Sequence, residues 1–268
     1  MRSPILCMPD NEKSCFACCP PIRPKGYEHI QYKNIIKRIL RENTRSFKPT
    51  EKPITGYSCW ALGYLDDQFR LVGCLLHPAR NNGQDLRYLT GYGDKCRREY
   101  CLEAKIFSEL SNKTKIFLLR FSDGMDSFTY SSRSKNPLFR LLRWGKDVLE
   151  YIAAKEQNRT SLIKLKQKYP FLKTQKDPRA VAYIVKEMLK RDCVPDLKEI
   201  SLFFNQANRL VKDIDPCSEQ KYTHLLPMDR DFLDFIRLGL GIKKISYKEA
   251  MSLKVNISSY FQKLSISM

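Results

Sequence analysis

Histidine is scarce in this chain: of 268 residues only His29, His77 and His224 are histidine, and they lie far apart. A zinc hydrolase of the H-E-x-x-H type needs two histidines one helical turn apart, so that chemistry is excluded. No apolar run approaches the roughly 18 to 20 residues that cross a bilayer, which excludes a membrane helix. The opening "MRSPILCMPDNEKS" holds no apolar stretch of export-signal length, and the expected compartment is the cytoplasm. There is no P-loop and no G-x-G-x-x-G after a strand. In "TGYGDK" Gly91 and Gly93 fall in a polar loop, and in "GLGIKK" Gly239 and Gly241 end a helical pattern, where capping is the simpler role. Nucleotide binding by the common loops is thereby excluded, and no internal repeat or low-complexity tract is present.

Acidic residues are also short, 29 against 48 basic ones, for a net charge of +19. The excess is spread evenly. Residues 1–101 carry 17 Lys and Arg against 10 Asp and Glu, a net +7, and the remaining residues carry 31 against 19, a net +12. Even basicity attracts anions in general without marking a nucleic-acid surface, so nucleic acid stays open as a partner and is not favoured.

Hydrophobic content of 43% and charged content of 29% are those of an ordinary globular protein, long enough to bury a core without staples. The expected class is α+β: a metal-binding, cysteine-rich region with a β-hairpin over about 1–132, then a mainly helical region over 133–268, with a boundary near "SSRSKN". After the rigid connector "PPIRPKG", the stretch "YEHIQYKNIIKRILRENT" predicts a helix whose apolar face is Tyr32, Ile35, Ile36, Ile39 and Leu40. Residues 57–77 predict a hairpin centred on Asp66-Asp67, which would set Cys59 directly opposite Cys74. Cys96 is expected just before a helix "RREYCLEAKIFSELS" with Cys101 in its first turns, and "KIFLLRF" (115–121) is a strand candidate. Helices are expected over about 137–156, 160–169, 178–191, 196–212, 229–240 and 246–264, punctuated by Pro170, Pro178, Pro195 and Pro227.

What the chain has in plenty is clustered thiol. Of ten cysteines, Cys7, Cys15, Cys18, Cys19, Cys59, Cys74, Cys96 and Cys101 lie in the first 101 residues, while Cys193 and Cys217 stand alone and read as small buried hydrophobes. In a reducing compartment such a cluster reads as metal or redox ligands before disulfides. Thiolates suit zinc, copper(I) and iron–sulfur clusters, and four usually complete a centre, so eight permit two. Adjacent side chains in extended backbone point opposite ways, so Cys18 and Cys19 serve different metal atoms or one of them packs. Cys7, Cys15 and Cys18 give C-x7-C-x2-C, not the C-x3-C-x2-C of radical enzymes that use S-adenosylmethionine. The C-x-x-C at Cys15–Cys18 lacks the βαβ unit of a thioredoxin. His77, three residues after Cys74, is in range to ligate or to donate to a thiolate, but a histidine with only structural contacts is the simpler reading.

Cys15-Phe16-Ala17-Cys18-Cys19 resembles the C-x-x-C-C heart of the zinc- or iron-chelating cysteine-cluster family, written C-x3-C-x2-C-C, which includes relatives of flagellin lysine methylase. The order continues with Cys59, Leu65-Asp66-Asp67, Cys74-Leu75-Leu76-His77-Pro78 and Cys96-Arg97, where the family has cysteines around a Leu-Asp turn and an Arg-Pro element. Here the first spacing is seven rather than three, and His77-Pro78 replaces Arg-Pro. The resemblance implies metal ligands at Cys15, Cys18, Cys19, Cys59, Cys74 and Cys96, with Cys7 and Cys101 as further candidates. It implies zinc or iron, the iron alone or as an iron–sulfur cluster, in a structural or redox role. Two other readings follow: an enzyme related to protein-lysine methylases, acting on a protein substrate, and a zinc-stabilised nucleic-acid binder. No catalytic residue stands out.

Overall fold

The structure, a computed structural model, describes residues 3–56, 58–98, 101–156, 160–211 and 221–266. It is mixed but mostly helical, with two small antiparallel sheets. The chain divides into two compact units, Met1–Arg140 and Leu141–Met268.

In the first unit a 3-10 turn at His29–Tyr32 leads into α1 (Lys33–Arg45). Only Ile36 and Leu40 of the expected face are fully buried, and Ile39 packs partly against the same core. Ile35 is 53% and Tyr32 49% exposed. The reason is phase: Ile35 sits about 100° around the helix from Ile36, and Tyr32 belongs to the 3-10 turn, where the helical period does not hold. Polar side chains of α1 fasten the next segment. The Asn43 amide donates to the carbonyls of Cys59 (3.1 Å) and Leu62 (2.9 Å), and Thr44 Oγ1 accepts from Tyr64 N (2.8 Å).

β1 (Leu62–Tyr64) pairs antiparallel with β2 (Val72–Cys74), in the register Leu62↔Cys74, Gly63↔Gly73, Tyr64↔Val72. This corrects the expected register. The turn is centred on Gln68, not on Asp66-Asp67, because the Asp66 carboxylate reaches across the loop and accepts from Arg70 N (2.9 Å) and Leu71 N (2.8 Å). Cys74 therefore faces Leu62, and Cys59 sits ahead of β1 in a turn closed by Leu62 N donating to its carbonyl at 3.0 Å. Gly63 is required where α1 presses on β1: a Cβ there would lie 2.7 Å from both Thr44 Oγ1 and Leu75 Cδ1.

Helices α2 (Gly93–Arg98), α3 (Leu102–Glu109), α4 (Asn112–Leu119) and α5 (Ser127–Ser131) complete this part, and the division at Arg140 falls within α6 (Pro137–Leu142). Two expectations are corrected. The single helix expected after Cys96 is two, with Cys96 inside α2 and Cys101 capping α3. The strand candidate 115–121 lies in α4 and the 3-10 turn after it. A short apolar run cannot tell a buried strand from a buried helix. Here the Ser111 hydroxyl, accepting from Thr114 N at 3.3 Å, starts a helix.

The second unit holds α7 (Lys146–Lys155), α8 (Leu162–Lys168), α9 (Arg179–Leu189), α10 (Leu197–Val211), α11 (Arg230–Asp234) and α12 (Tyr247–Ile266). A π-helical turn at Phe235–Gly239 continues α11, and a two-residue bridge pairs β3 (Lys221–Tyr222) with β4 (Lys244–Ile245), which the helical pattern did not foretell. α9 is the axis, buried continuously from Ala180 to Val185, with Tyr183 among the rings of Phe232, Phe235 and Phe261. Lys186 on the same helix meets Asp147 at 2.7 Å, Asp231 at 3.2 Å and Asp229 at 3.7 Å. Among the described residues no helix is long and apolar enough to cross a membrane.

Candidate metal centre

The cysteine-rich start is held by its non-cysteine residues. Phe16 is 1% exposed and packs its ring on His29 (4.8 Å) and edge-on to Phe128 (5.2 Å). Ser14 acts like an extra residue of the sheet: its hydroxyl donates to Val72 O (2.8 Å) and accepts from Val72 N (2.7 Å), while its own N–H donates to Ser127 Oγ at 3.0 Å. Phe16 N donates to Ser131 Oγ (2.9 Å), and Tyr130 OH donates to Leu6 O (2.8 Å), so α5 grips the segment at three points. Within that frame Cys15 N donates to Cys7 O at 2.9 Å and Cys19 N to Phe16 O at 3.0 Å, which fold the segment on itself.

The thiols act on one another's charge in two overlapping sets that meet at Cys18 and Cys19. Burial pushes Cys7 up to about 11 despite its exposed edge, and Cys18 and Cys101 add to the rise. Burial also raises Cys15 far above the ordinary thiol range, against the opposing N–H of Ala17, with Cys18, Cys7 and Cys101 adding. Cys101 is raised to about 11 by burial, Glu103 and Cys18, with the Ala104 N–H and Arg133 opposing. Cys7, Cys15, Cys18 and Cys101 thus make one group. Cys19 is raised by its hydrogen bond with Cys18, then by burial, and then by Cys18, Cys74 and Cys59. Burial pushes Cys59 up to about 12, with Cys74 and Cys96 adding, and pushes Cys74 up to about 11, with Cys96 adding. Cys19, Cys59, Cys74 and Cys96 make the second group, and the Cys18–Cys19 pair joins the two.

These thiols stand within electrostatic reach of one another, not within bonding reach of a common ion. Among the described residues no three Cys, His, Asp or Glu side chains are placed as a ready coordination shell. Burial disfavours thiolate at these sulfurs, and backbone N–H groups oppose it in part: that of the residue two on lowers the pKa at Cys15 (Ala17), Cys59 (Ala61) and Cys74 (Leu76), and Leu62 N–H does so again at Cys59. Cys101 Sγ caps α3, accepting from Ala104 N at 3.3 Å, where the helix end also favours negative charge. Donors aimed at sulfur favour the anion and tune a bound metal. Cys96 Sγ lies 3.7 Å from Thr90 Oγ1, and Arg87, clasped to Asp85 at 2.7 Å, reaches the Cys96 carbonyl at 3.4 Å.

The histidines differ in burial and in what they bond. His77 is exposed and spends Nδ1 on Ala79 N (3.1 Å), capping the 3-10 turn Pro78–Arg80. His29 is buried, 5% exposed, with Nε2 bonded to the Cys19 carbonyl and Nδ1 3.3 Å from Tyr27 OH. Burial holds it down to about 4, so at neutral pH it is uncharged, and the Nε2 proton goes to the carbonyl. Its role, and those of Ser14, Ser127, Ser131 and Tyr130, escape sequence reasoning, which sees only that His29 follows a proline-rich loop. Cys193 belongs to the second unit and is half-buried, and Cys217 lies outside the described residues.

No family model matches this chain, and no curated protein and no solved structure is significantly similar to it.

Proposed function

We propose that this chain is a cysteine-cluster metalloprotein, binding zinc or iron through two four-thiolate groups: Cys7, Cys15, Cys18 and Cys101, and Cys19, Cys59, Cys74 and Cys96. The observation that carries the reading is the gathering of eight thiols that act on one another's charge in two overlapping sets, Cys7, Cys15 and Cys101 with Cys18, and Cys59, Cys74 and Cys96 with Cys19, joined by the Cys18–Cys19 hydrogen bond; eight thiols are enough for two four-thiolate centres. The recurring N–H donor two residues after a cysteine supports it, as does the resemblance of the cysteine spacing to the zinc- or iron-chelating family. Bound metal would tie the N-terminal segment to β1, β2 and α3, coupling its affinity to folding. Zinc would make this a structural staple; an iron–sulfur centre would let the same ligands carry an electron.

The test is the metal and acid-labile sulfide content of protein purified without oxygen, with its visible spectrum. Two equivalents of zinc in colourless protein, or iron with matching sulfide in brown protein, support the reading and choose between its branches. Protein free of both metals after such purification, and unable to take up either, refutes it.

A second reading has one observation of its own. α1 turns Arg38, Arg41 and Arg45 to solvent beside exposed Ile35 and Tyr32, which suits a phosphate backbone with bases laid on the apolar side chains. It requires RNA or DNA binding that weakens steeply with salt.

A further inference from the structure

Beside the first thiol group the connector "PPIRPKGYEH" curls into a cavity of about 370 Å3, toward the small end of the range for small-molecule sites. The curl is set by Tyr27 N donating to Pro24 O at 3.2 Å and by Gly26 at φ 82°, a left-handed conformation that glycine adopts without strain. Its far wall is Ser131 and Arg133, at and just beyond the end of α5, and its floor includes Ala17, between Cys15 and Cys18.

The charge on these walls is lopsided. Arg23, Lys25 and Arg133 line the cavity, and Glu28 is the one carboxylate among the described lining residues. That carboxylate is already satisfied by neutral donors: Ser132 Oγ at 2.6 Å, Ser134 Oγ at 2.7 Å and Ser134 N at 2.9 Å. Arg23 is aimed by its bond to the Ala17 carbonyl, and Arg133 by Glu103, which is itself buried, at 3.6 Å. Two guanidiniums and an ammonium therefore line a concave space whose one acid is bonded to serines, with Arg133 also paired to Glu103 outside the lining. Guanidinium forks match the planar or tetrahedral oxygens of carboxylate and phosphate. Tyr27, Pro21 and Pro24 supply the apolar part of the lining.

We propose that this cavity binds a small anionic molecule bearing a phosphate or carboxylate group, held by Arg23, Lys25 and Arg133 alongside the first thiol group. The proposal stands on the cavity and its charge and does not need metal at the thiols. A competing arrangement has the same cations offsetting the negative charge of thiolates, and the test separates the two.

The full-length protein as purified, its metal content measured on the same sample, is titrated with inorganic phosphate and in parallel with succinate at constant ionic strength, followed by calorimetry and by amide NMR. At least one anion is expected to bind with a dissociation constant of about a millimolar or tighter, shifting amides of residues 21–29 and 131–134. Lys25→Gln and Arg133→Gln should each weaken it about tenfold, the usual worth of one charge-assisted hydrogen bond, with metal content unchanged. The tighter of the two anions names the head group. Lys25 is exposed, so its variant retains the fold. Failure of both anions to bind, or equal binding by wild type and both variants, overturns the proposal. Loss of metal in Arg133→Gln without any anion binding assigns the cations to the thiolates instead.

Discussion

Phe16→Ala is the most informative single change, because Phe16 holds the segment that carries three of the eight thiols without being a ligand itself. Its side chain is 1% exposed and lies between His29 and Phe128. Truncating a fully buried phenylalanine costs about 3–5 kcal/mol, of which the edge-on ring contact supplies roughly 0.5–1.5. The walls cannot close on the void, since Ser14 is bonded to Val72 and Phe16 N to Ser131 Oγ, which places the cost toward the upper half of that range. Phe16→Leu keeps most of the apolar volume and should cost roughly 1.5 kcal/mol or less. If only the closed segment holds metal, affinity falls with the closed fraction of the apoprotein, so once the loss exceeds the segment's own closing free energy each further ~1.4 kcal/mol costs tenfold, and the alanine variant should release metal to a chelator more readily than Phe16→Leu. Urea unfolding, hydrogen exchange of amides 14–19 and a chelator competition measure the three quantities. An alanine variant that loses stability as expected but keeps its metal as tightly as wild type would refute the view that this segment supplies ligands to either centre.

Cys18→Ser and Cys19→Ser should each abolish one centre and spare the other, so each variant retains about half the metal and the double variant little, read by elemental analysis. Equal loss of both centres in either single variant would contradict the two-group arrangement. Gly63→Ala should destabilise the first unit by about 1–3 kcal/mol, because Thr44 Oγ1, 2.7 Å from the new methyl, is fixed by its bonds to Leu40 O and Tyr64 N; a variant with wild-type urea midpoint would show that α1 and β1 do not pack this closely. Lys186→Met leaves Asp147, Asp229 and Asp231 facing one another and should cost about 2–3 kcal/mol at pH 7, below the fully buried value because Lys186 keeps some solvent contact, with the difference shrinking as the carboxylates protonate toward pH 4. In the wild type, burial lowers the Lys186 pKa, but the Asp147 hydrogen bond and the Asp231 and Asp229 charges outweigh it and hold the pKa above the ordinary lysine value. A group raised in the folded state stabilises below its unfolded pKa, so that contribution should be undiminished across pH 7–10, as the wild-type-minus-Lys186→Met difference in thermal unfolding would show, and be lost only in more strongly alkaline solution.

The sequence by itself determined what depends on local chemistry. Apolar residues at helical spacing specified α1, α9 and α10, and Pro170, Pro178, Pro195 and Pro227 marked breaks between helices of the second unit, but the single helix expected over 137–156 is broken at Gly145, φ 82°, into α6 and α7. The count and crowding of thiols marked the candidate ligands, whereas the alternation of extended backbone would have set Cys18 and Cys19 apart, and the structure instead joins their side chains by a hydrogen bond. The tertiary structure decided what depends on partners distant in the chain. The register of β1 and β2 turned on one carboxylate, Asp66, capping its own loop, and a displacement of three residues separated Cys59 from the position opposite Cys74. The run 115–121 became helix because a serine upstream caps it and the core takes its apolar side chains. His29 and His77 look alike in sequence, yet one is buried against the Cys19 carbonyl and the other caps an exposed turn. Which thiols stand together is of the same kind: spacing limits how far each cysteine can reach, but the grouping comes from Phe16, Ser14 and α5 folding the N-terminal segment onto β2, and such contacts leave no periodic signal in the chain.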